Sequence, residues 1–555
     1  TQTTFRGAFS NTNNWLNGWT VVDSTGITTD LAVDGGSGST VNISANITTD
    51  TTWTASNTYV LKDYIFVEPG ATLTIEAGTT IKADVGSGDS APALIVTQGA
   101  KINATGTAAN PIVFTSVSDT GSNLTKDNKG LWGGLIILGK APINSNGGSN
   151  ADNTPLTNTI EGVPTTSGIS GKSIPASYSL YGGTDASDDS GILQYVSIRH
   201  GGAEIGSGNE INGLTLGGVG NGTTINNIEV FANKDDGIEF FGGSVNAKYL
   251  AVAYVGDDSF DFDEGYNGHL QFLLSIQDES SNRAFEWDGS TESDDKAADT
   301  STLPDYSAPV ISNVTAIGIG KTGTSAHEDN NIGLEIRDNA GGQVWNSIFT
   351  EFAKSIMDVE ATSSSKGTVS DTNSSLYGSQ ALMQNGLLVF QGNLFYNGGH
   401  SDGNTALGTA EGDANTAAVI SATDRNNTFS TDPLLTDTDD ADGSLSPFPT
   451  SSSPALSGAN TLADTSFLTQ TAFRGAFSAS NNWLNDWTKI DADGITAELT
   501  VDSGTGTTVN VNANISADTT WSATNTYVLK DYIFVEPGAT LSIEAGTTIK
   551  ADVGS

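Results

Sequence analysis

Three short runs each place a carboxylate between two apolar residues: Ile238-Glu239-Phe240, Phe260-Asp261-Phe262 and Phe285-Glu286-Trp287. In an extended strand, neighbouring side chains point to opposite faces, so an apolar pair turned to a core leaves its carboxylate outside. The steps between the runs are 22 and then 25 residues. Stacked strands with that spacing would align Glu239, Asp261 and Glu286 as a ladder of like charges about 5 Å apart. Glu335, between Leu334 and Ile336, extends it. Such a ladder repels itself unless a cation or a basic partner lies against it. Calcium suits oxygen-only donors, and Asp257, Asp258, Asp263 and Glu264 lie close by in sequence. Glu239, Asp257, Asp258, Asp261, Asp263 and Glu286 are therefore the candidate calcium ligands. The alternative is a solvated acidic face screened by salt, and no EF-hand or nonapeptide calcium pattern decides between them.

A second constellation is Asp236-Gly237-Ile238, Gly256-Asp257-Asp258, Gly268-His269 and Ile336-Arg337. Its order resembles the motifs of polygalacturonase-type glycoside hydrolases, in which aspartates supply acid and base. Asp236 and Asp258, 22 residues apart, would provide the paired carboxylates such hydrolysis needs. The departures are large. His269 follows Asp258 by only 11 residues, and Asp338 stands after Arg337 where the resemblance calls for lysine. Lyase chemistry would need a basic residue beside calcium, and the lysines and arginines are scattered along the chain. The four histidines, His200, His269, His327 and His400, show no metal-pair spacing. The expectation is a protein that is not an enzyme and requires no cofactor, with calcium as a candidate.

The elements that must position these residues follow a 22-residue rhythm. DDGIEF at 235–240 is echoed by DDSFDF at 257–262, and Ile228/Val230 is followed by Leu250/Val252 and then Phe272/Leu274. Short alternating runs separated by Gly, Asn and Asp turns, at one coil per period, predict an all-β, right-handed parallel β-helix. Further strands are expected around Ile65–Val67, Leu73–Ile75, Leu94–Val96, Ile112–Phe114, Leu135–Leu138, Tyr195–Ile198, Leu214–Leu216, Val344–Ile348 and Leu387–Phe390. Stretches 141–190, 289–308 and 360–385 break the rhythm and read as projecting loops.

A larger repeat overlies the small one. Residues 1–87 return at 469–555 without gaps, at an offset of 468, with 66 identities in 87 positions. Both copies should therefore adopt one structure. The expected organisation is a junction segment at 1–58, the β-helix at 59–400, an exit segment and linker at 401–468, and the start of a second unit at 469–555. Trp15, Trp19 and Trp53 recur as Trp483, Trp487 and Trp521, and packing of this segment on a neighbouring β-helix is expected ahead of sugar stacking. The chain reads as a window on a longer, exported protein of several such units.

Composition narrows the function. A net charge of −42 and a pI near 4.1 disfavour nucleic acid, whose phosphates need clustered Lys and Arg, and anionic lipid. There is no cysteine and no apolar run near the ~20 residues that span a bilayer. YIFVEPGATLTIEAGTTIKAD at 64–84 and the segment from Asp432 to Ala459 resemble right-handed parallel β-helix surface and secreted repeat proteins of the Bacteroidota type, as do FRGAF and NNWLNGWT. That resemblance implies the fold and an extracellular or bacterial cell-surface location, but no reaction. The expected function is a structural or adhesive protein forming a filament, sheath or surface layer, with itself as partner. The alternative is a β-helix that binds or cleaves polysaccharide.

Overall fold

The computed structural model describes residues 38–144, 157–206, 209–289, 306–327, 331–360, 378–398, 422–429, 431–438, 445–479, 481–494, 508–522, 525–530, 532–543 and 547–551. Short strands wind into a right-handed parallel β-helix, each pairing with its counterparts one coil before and one coil after. Every coil has three faces. The first carries nine strands, from Tyr64–Val67 through Phe260–Asp263 to Ser355–Val359. The second and third are separate strands in the early coils and merge into single long strands, such as Asn246–Ala253, in the middle of the solenoid. Coil stacking already begins at Thr40–Ile43, which pairs with Thr58–Leu61.

The inner columns account for the fold's stability. On the first face Ile65, Leu94, Leu135, Leu214, Ile238, Phe260, Phe285, Leu334 and Met357 are in continuous register. All are buried in one core cluster. Each contributes by leaving water, at roughly 25 cal/mol per Å² of apolar surface. Phe260 and Phe285 stack at 5.0 Å between ring centroids.

The corner between the second and third faces is a column of left-handed residues. Tyr195, Asn227, Tyr249, Phe272, Asn313 and Asn346 have φ between 49° and 62° and follow one another coil by coil. Asparagine tolerates this conformation; tyrosine and phenylalanine do so at a cost. The bend also changes which side chains face inward.

Here the structure corrects the expected rhythm. Ile228 and Val230 do pair with Leu250 and Val252, but Leu250 then pairs with Leu273 and Val252 with Ser275. The coil between them holds one extra residue. A one-residue slip turns a strand's alternation over, so Phe272 and Leu274 lie on the outside of the solenoid rather than in its core.

That outside surface is covered by the chain's own later residues. After the last coil the chain forms an antiparallel pair, Leu435–Asp437 with Ser446–Pro449, and then runs back along the second and third faces. Residues 469–494 lie on the outer surface of the β-helix, with Trp483, Leu484, Trp487 and Ile490 packed among Phe272, Leu274, Ile276 and Ile317. The expected packing of the recurring tryptophans is thus seen for Trp483 and Trp487. Trp53 and Trp521 instead sit inside their coils, stacked on Tyr59 and Tyr527. Trp15 and Trp19 lie outside the described residues.

In the second copy, Thr508–Val511, Thr526–Leu529 and Thr548–Ala551 pair as Thr40–Ile43, Thr58–Leu61 and Thr80–Ala83 do. Among the stretches read as loops, 157–181 folds over the first face. Ile160, Ile174 and Tyr181 cover Phe66, Ile95, Ile136 and Leu138 there. No helix among the described residues is long and apolar enough to cross a membrane.

Candidate metal centre

The ladder read from sequence is present. Glu239 pairs with Asp261, Asp261 with Glu286, Glu286 with Glu335, and Glu335 with Asp358, all on the outer side of the first face. What the spacing did not reveal is burial. Glu239 is 6 % exposed, and Asp236 and Asp258 beside the ladder 8 % and 1 %, while Asp261, Glu286, Glu335 and Asp358 are half-buried, so the N-terminal end of the ladder is largely withdrawn from solvent. Burial is the largest influence on these carboxyls, and it pushes Asp236, Glu239, Asp258, Asp261 and Asp263 well above the usual carboxylate range.

The ladder divides in two. Towards the C-terminal coils it is neutralised by arginine. Arg283 contacts Asp258 at 3.2 Å, Glu286 at 3.3 Å and also Glu335. Arg337 bonds Asp288 at 2.7 Å and also reaches Glu286. These carboxylates hold both guanidinium groups more firmly cationic than usual, their attraction outweighing the desolvation that alone would lower them. Asp288, buried between like charges and Arg337, is raised to about 7.

Towards the N-terminal coils there is no such relief. The charges acting on Asp236, Glu239 and Asp261 are all carboxylates. Ligand oxygens of these three lie within 4.8 Å of one another, as do those of Asp235, Asp236 and Asp257. Asp257 Oδ1 and Asp261 Oδ1 have no hydrogen-bond partner, and neither does the Oδ1 of Asn212, whose amide donates to Glu239. The result is a recess of oxygen donors in which Asp236, Glu239 and Asp261 face one another, while Asp257 at its edge also feels His327 and Arg283; such a cluster of oxygen donors suits a hard divalent cation.

Of the six candidate ligands, Glu239, Asp257 and Asp261 belong to this recess. Asp258 and Glu286 are engaged by Arg283, and Asp263 lies two residues along its strand, accepting from the backbone N–H of Glu264 at 2.6 Å. Asp235 and Asp236 were missing from the set, although the DDGIEF echo carried them. Arg283 was missed, and Arg337 was named only in the hydrolase-like order, because the register brings together residues scattered in sequence.

The hydrolase constellation does not assemble. His269 begins a strand on the second face, around the next corner from Asp258, and pairs with Asp464 at 3.3 Å. Asp236 and Asp258 are one coil apart as expected, but their carboxylates cap the next coil. Asp236 Oδ1 accepts from the N–H of Asp258 at 2.9 Å, and Asp258 Oδ1 from that of Arg283 at 2.6 Å. The glycines of the motif answer to packing: a Cβ on Gly237 would lie 2.4 Å from Val252 Cγ1, and one on Gly256 1.9 Å from the Lys234 carbonyl.

With the geometry in hand, the comparison with known families decides the chain's affiliation. The family of the pectate-lyase-like β-helix domain matches residues 45–419. The chain belongs to this family. No curated protein and no solved structure matches it. The pectate-lyase-like domain thus spans the coils, the recess and the two arginines, and ends before the segment that folds back over the solenoid.

Proposed function

We propose that this pectate-lyase-like chain is an extracellular structural and adhesive protein of a bacterial cell surface, built of tandem β-helix units. On this reading the first face takes calcium at Asp236, Glu239, Asp257 and Asp261. Through that calcium it holds anionic polysaccharide without cleaving it. The observation carrying the proposal is the trio of buried Asp236 and Glu239 with half-buried Asp261, whose charged neighbours are further carboxylates. Such a trio can stay closed only with shared protons or a divalent cation. Calcium in turn offers open coordination positions to carboxylated sugars. The rigid coils, and the second unit's opening segment clasped on the first unit, support a filament, sheath or surface layer.

The family supports a second reading, cleavage of acidic polysaccharide, and Arg337 stands beside the recess as the basic residue that reading requires. It is a poor proton acceptor there, because Asp288 and Glu286 hold its charge. The two readings separate in one experiment. The chain is titrated with calcium by calorimetry, then incubated with polygalacturonate or alginate and followed by co-sedimentation, reducing-end assay and absorbance of unsaturated products. Calcium-dependent co-sedimentation without new ends or unsaturation is expected. Product formation lost in Asp261→Asn would replace the adhesive reading with the enzymatic one. No calcium binding would remove both.

A further inference from the structure

The β-helix carries a built seat on its second and third faces, and residues 469–494 fill it. Three fully buried polar side chains are spent on that segment. Glu229 accepts the backbone N–H groups of Lys489 and Ile490 at 2.8 and 2.9 Å. Gln271 exchanges two hydrogen bonds with the backbone of Thr469, at 2.6 and 2.7 Å. Asn313 donates to the carbonyls of Phe473 and Gly475, both at 3.1 Å. Aromatic residues complete the seat. Tyr195 meets Trp487 edge-on at 5.5 Å, Tyr249 meets Trp483 at 5.6 Å, and Phe272 stacks on Phe473 at 6.4 Å. Tyr195, Tyr249 and Phe272 are also the aromatic members of the corner column held at positive φ, so that column tolerates a strained backbone where it presents rings to this segment.

The segment seated there is the repeat of residues 1–26, and 18 of the 26 positions are identical. Most of the differences lie away from the contact; Lys489, over the Phe231 ring, and Ile490, in the apolar cluster, are the exceptions. Ala472, Ala479, Asp486, Ala492 and Asp493, which replace Thr4, Asn11, Gly18, Ser24 and Thr25, are exposed. Of the buried positions, only Lys489 and Ile490 differ (Val21 and Val22), and they reach Glu229 through backbone N–H groups that any residue but proline supplies. Phe473, Phe477, Trp483, Leu484 and Trp487 recur as Phe5, Phe9, Trp15, Leu16 and Trp19.

We propose that residues 1–26 are a latch for a second copy of this unit. They dock on that copy's β-helix at the seat of Glu229, Gln271, Asn313 and Phe272. The seat of their own unit is taken by residues 469–494, so their partner is the preceding repeat of a tandem array. Each repeat then clasps the flank of the one before it. The sequence repeat and the structural unit are out of phase, the latter running from the first coil to the latch. This goes beyond the calcium-site reading and is independent of it.

The test uses the full chain with Trp15→Ala, Trp19→Ala, Trp483→Ala and Trp487→Ala, which weakens both latches. A labelled peptide of residues 1–26 is titrated in, with a peptide of 469–494 as reference and circular dichroism to confirm intact coils. One saturable site for each peptide is expected, with Gln271→Ala or Asn313→Ala in the chain weakening both at least tenfold. A 1–26 peptide with Trp15→Ala and Trp19→Ala should lose binding. If the reference peptide binds and 1–26 does not, the proposal is overturned. It also fails if neither binds, or if the seat substitutions leave 1–26 binding unchanged. Where the fourfold variant loses its coils, the same titration on the chain with Trp483→Ala alone supports or overturns the latch by the same outcomes.

Discussion

Glu239 and Asp261 lie opposite each other on adjacent coils of the first face, with carboxylate oxygens within 4.8 Å of one another and Asp236 completing the group. Burial and the neighbouring carboxylates raise the proton affinity of both, so the pair favours either a bound proton or a cation between them.

Neutralising one member of the pair should therefore separate the two occupants. In Glu239→Gln or Asp261→Asn, calcium affinity should fall on the order of tenfold or more, as for lost metal contacts generally. The calcium-free protein should melt no earlier than the parent, because one buried like charge has gone. Thermal scans with EGTA and with calcium check this, and an unchanged calcium response in both variants would remove these residues from the site.

The pH dependence follows from the same carboxyls. Their folded-state affinities for protons are raised, so between the ordinary carboxylate range and the raised values the native state holds more protons than the unfolded one. Stability from these groups therefore falls as pH rises through that window, which for Asp288 ends near about 7. With EGTA present, the melting temperature is expected to drop between pH 5 and pH 8 (about the raised carboxylate window), and calcium should flatten the drop. Calcium must displace the protons, so its affinity should climb over the same interval, visible in calorimetry as buffer-dependent heat.

Arg283 is the counter-charge to Asp258, Glu286 and Glu335 at a site where it is only 7 % exposed. Arg283→Ala removes the guanidinium from Asp258 and leaves Glu286 and Glu335 with Arg337 alone, and should cost about 3–5 kcal/mol. Arg283→Lys recovers only part of this, because one ammonium cannot span three partners. Denaturant unfolding of the two variants measures the difference.

The coil register is testable at neighbouring positions. Leu250 and Leu273 pair in the core, and Leu250→Ala or Leu273→Ala should each cost about 2–5 kcal/mol. Phe272→Asp should instead loosen the latch. Residues 469–494 would then become sensitive to protease while circular dichroism still reports intact coils. Loss of the coils in Phe272→Asp with Leu273→Asp tolerated would reverse the register.

Much of this was legible without coordinates. The period in DDGIEF and DDSFDF implied the coil, and apolar–acidic–apolar runs at 22 and 25 residues implied the carboxylate ladder, because stacking converts equal spacing into contact. The step from Leu250 to Phe272 misled because the coil boundary is set by a bend, not by a count. One additional residue moved Leu273 inside and Phe272 outside. Arg283 sits in no motif and Arg337 was read only as part of a hydrolase-like order; their role as counter-charges could not be assigned, since only the pairing with Glu286 and Asp288 brings them together.

The chain's two copies of YVLKDYIFVEPGATL mark the division most plainly. Thr58–Leu61 pairs with Thr80–Ala83 as Thr526–Leu529 pairs with Thr548–Ala551, but the strand Tyr64–Val67 has no strand counterpart at 532–535. Burial is not a local property. Tyr64 is fully buried because Ala93 and Ile95 of the next coil and Ile160 and Ile174, about a hundred positions on, pack around it. Alternation and turn residues determine a strand through short-range geometry, and so sequence alone determined the coil and its ladder. Which face is covered, which carboxylate meets an arginine and which segment meets the seat depend on residues dozens or hundreds of positions away, and tertiary packing alone decided those.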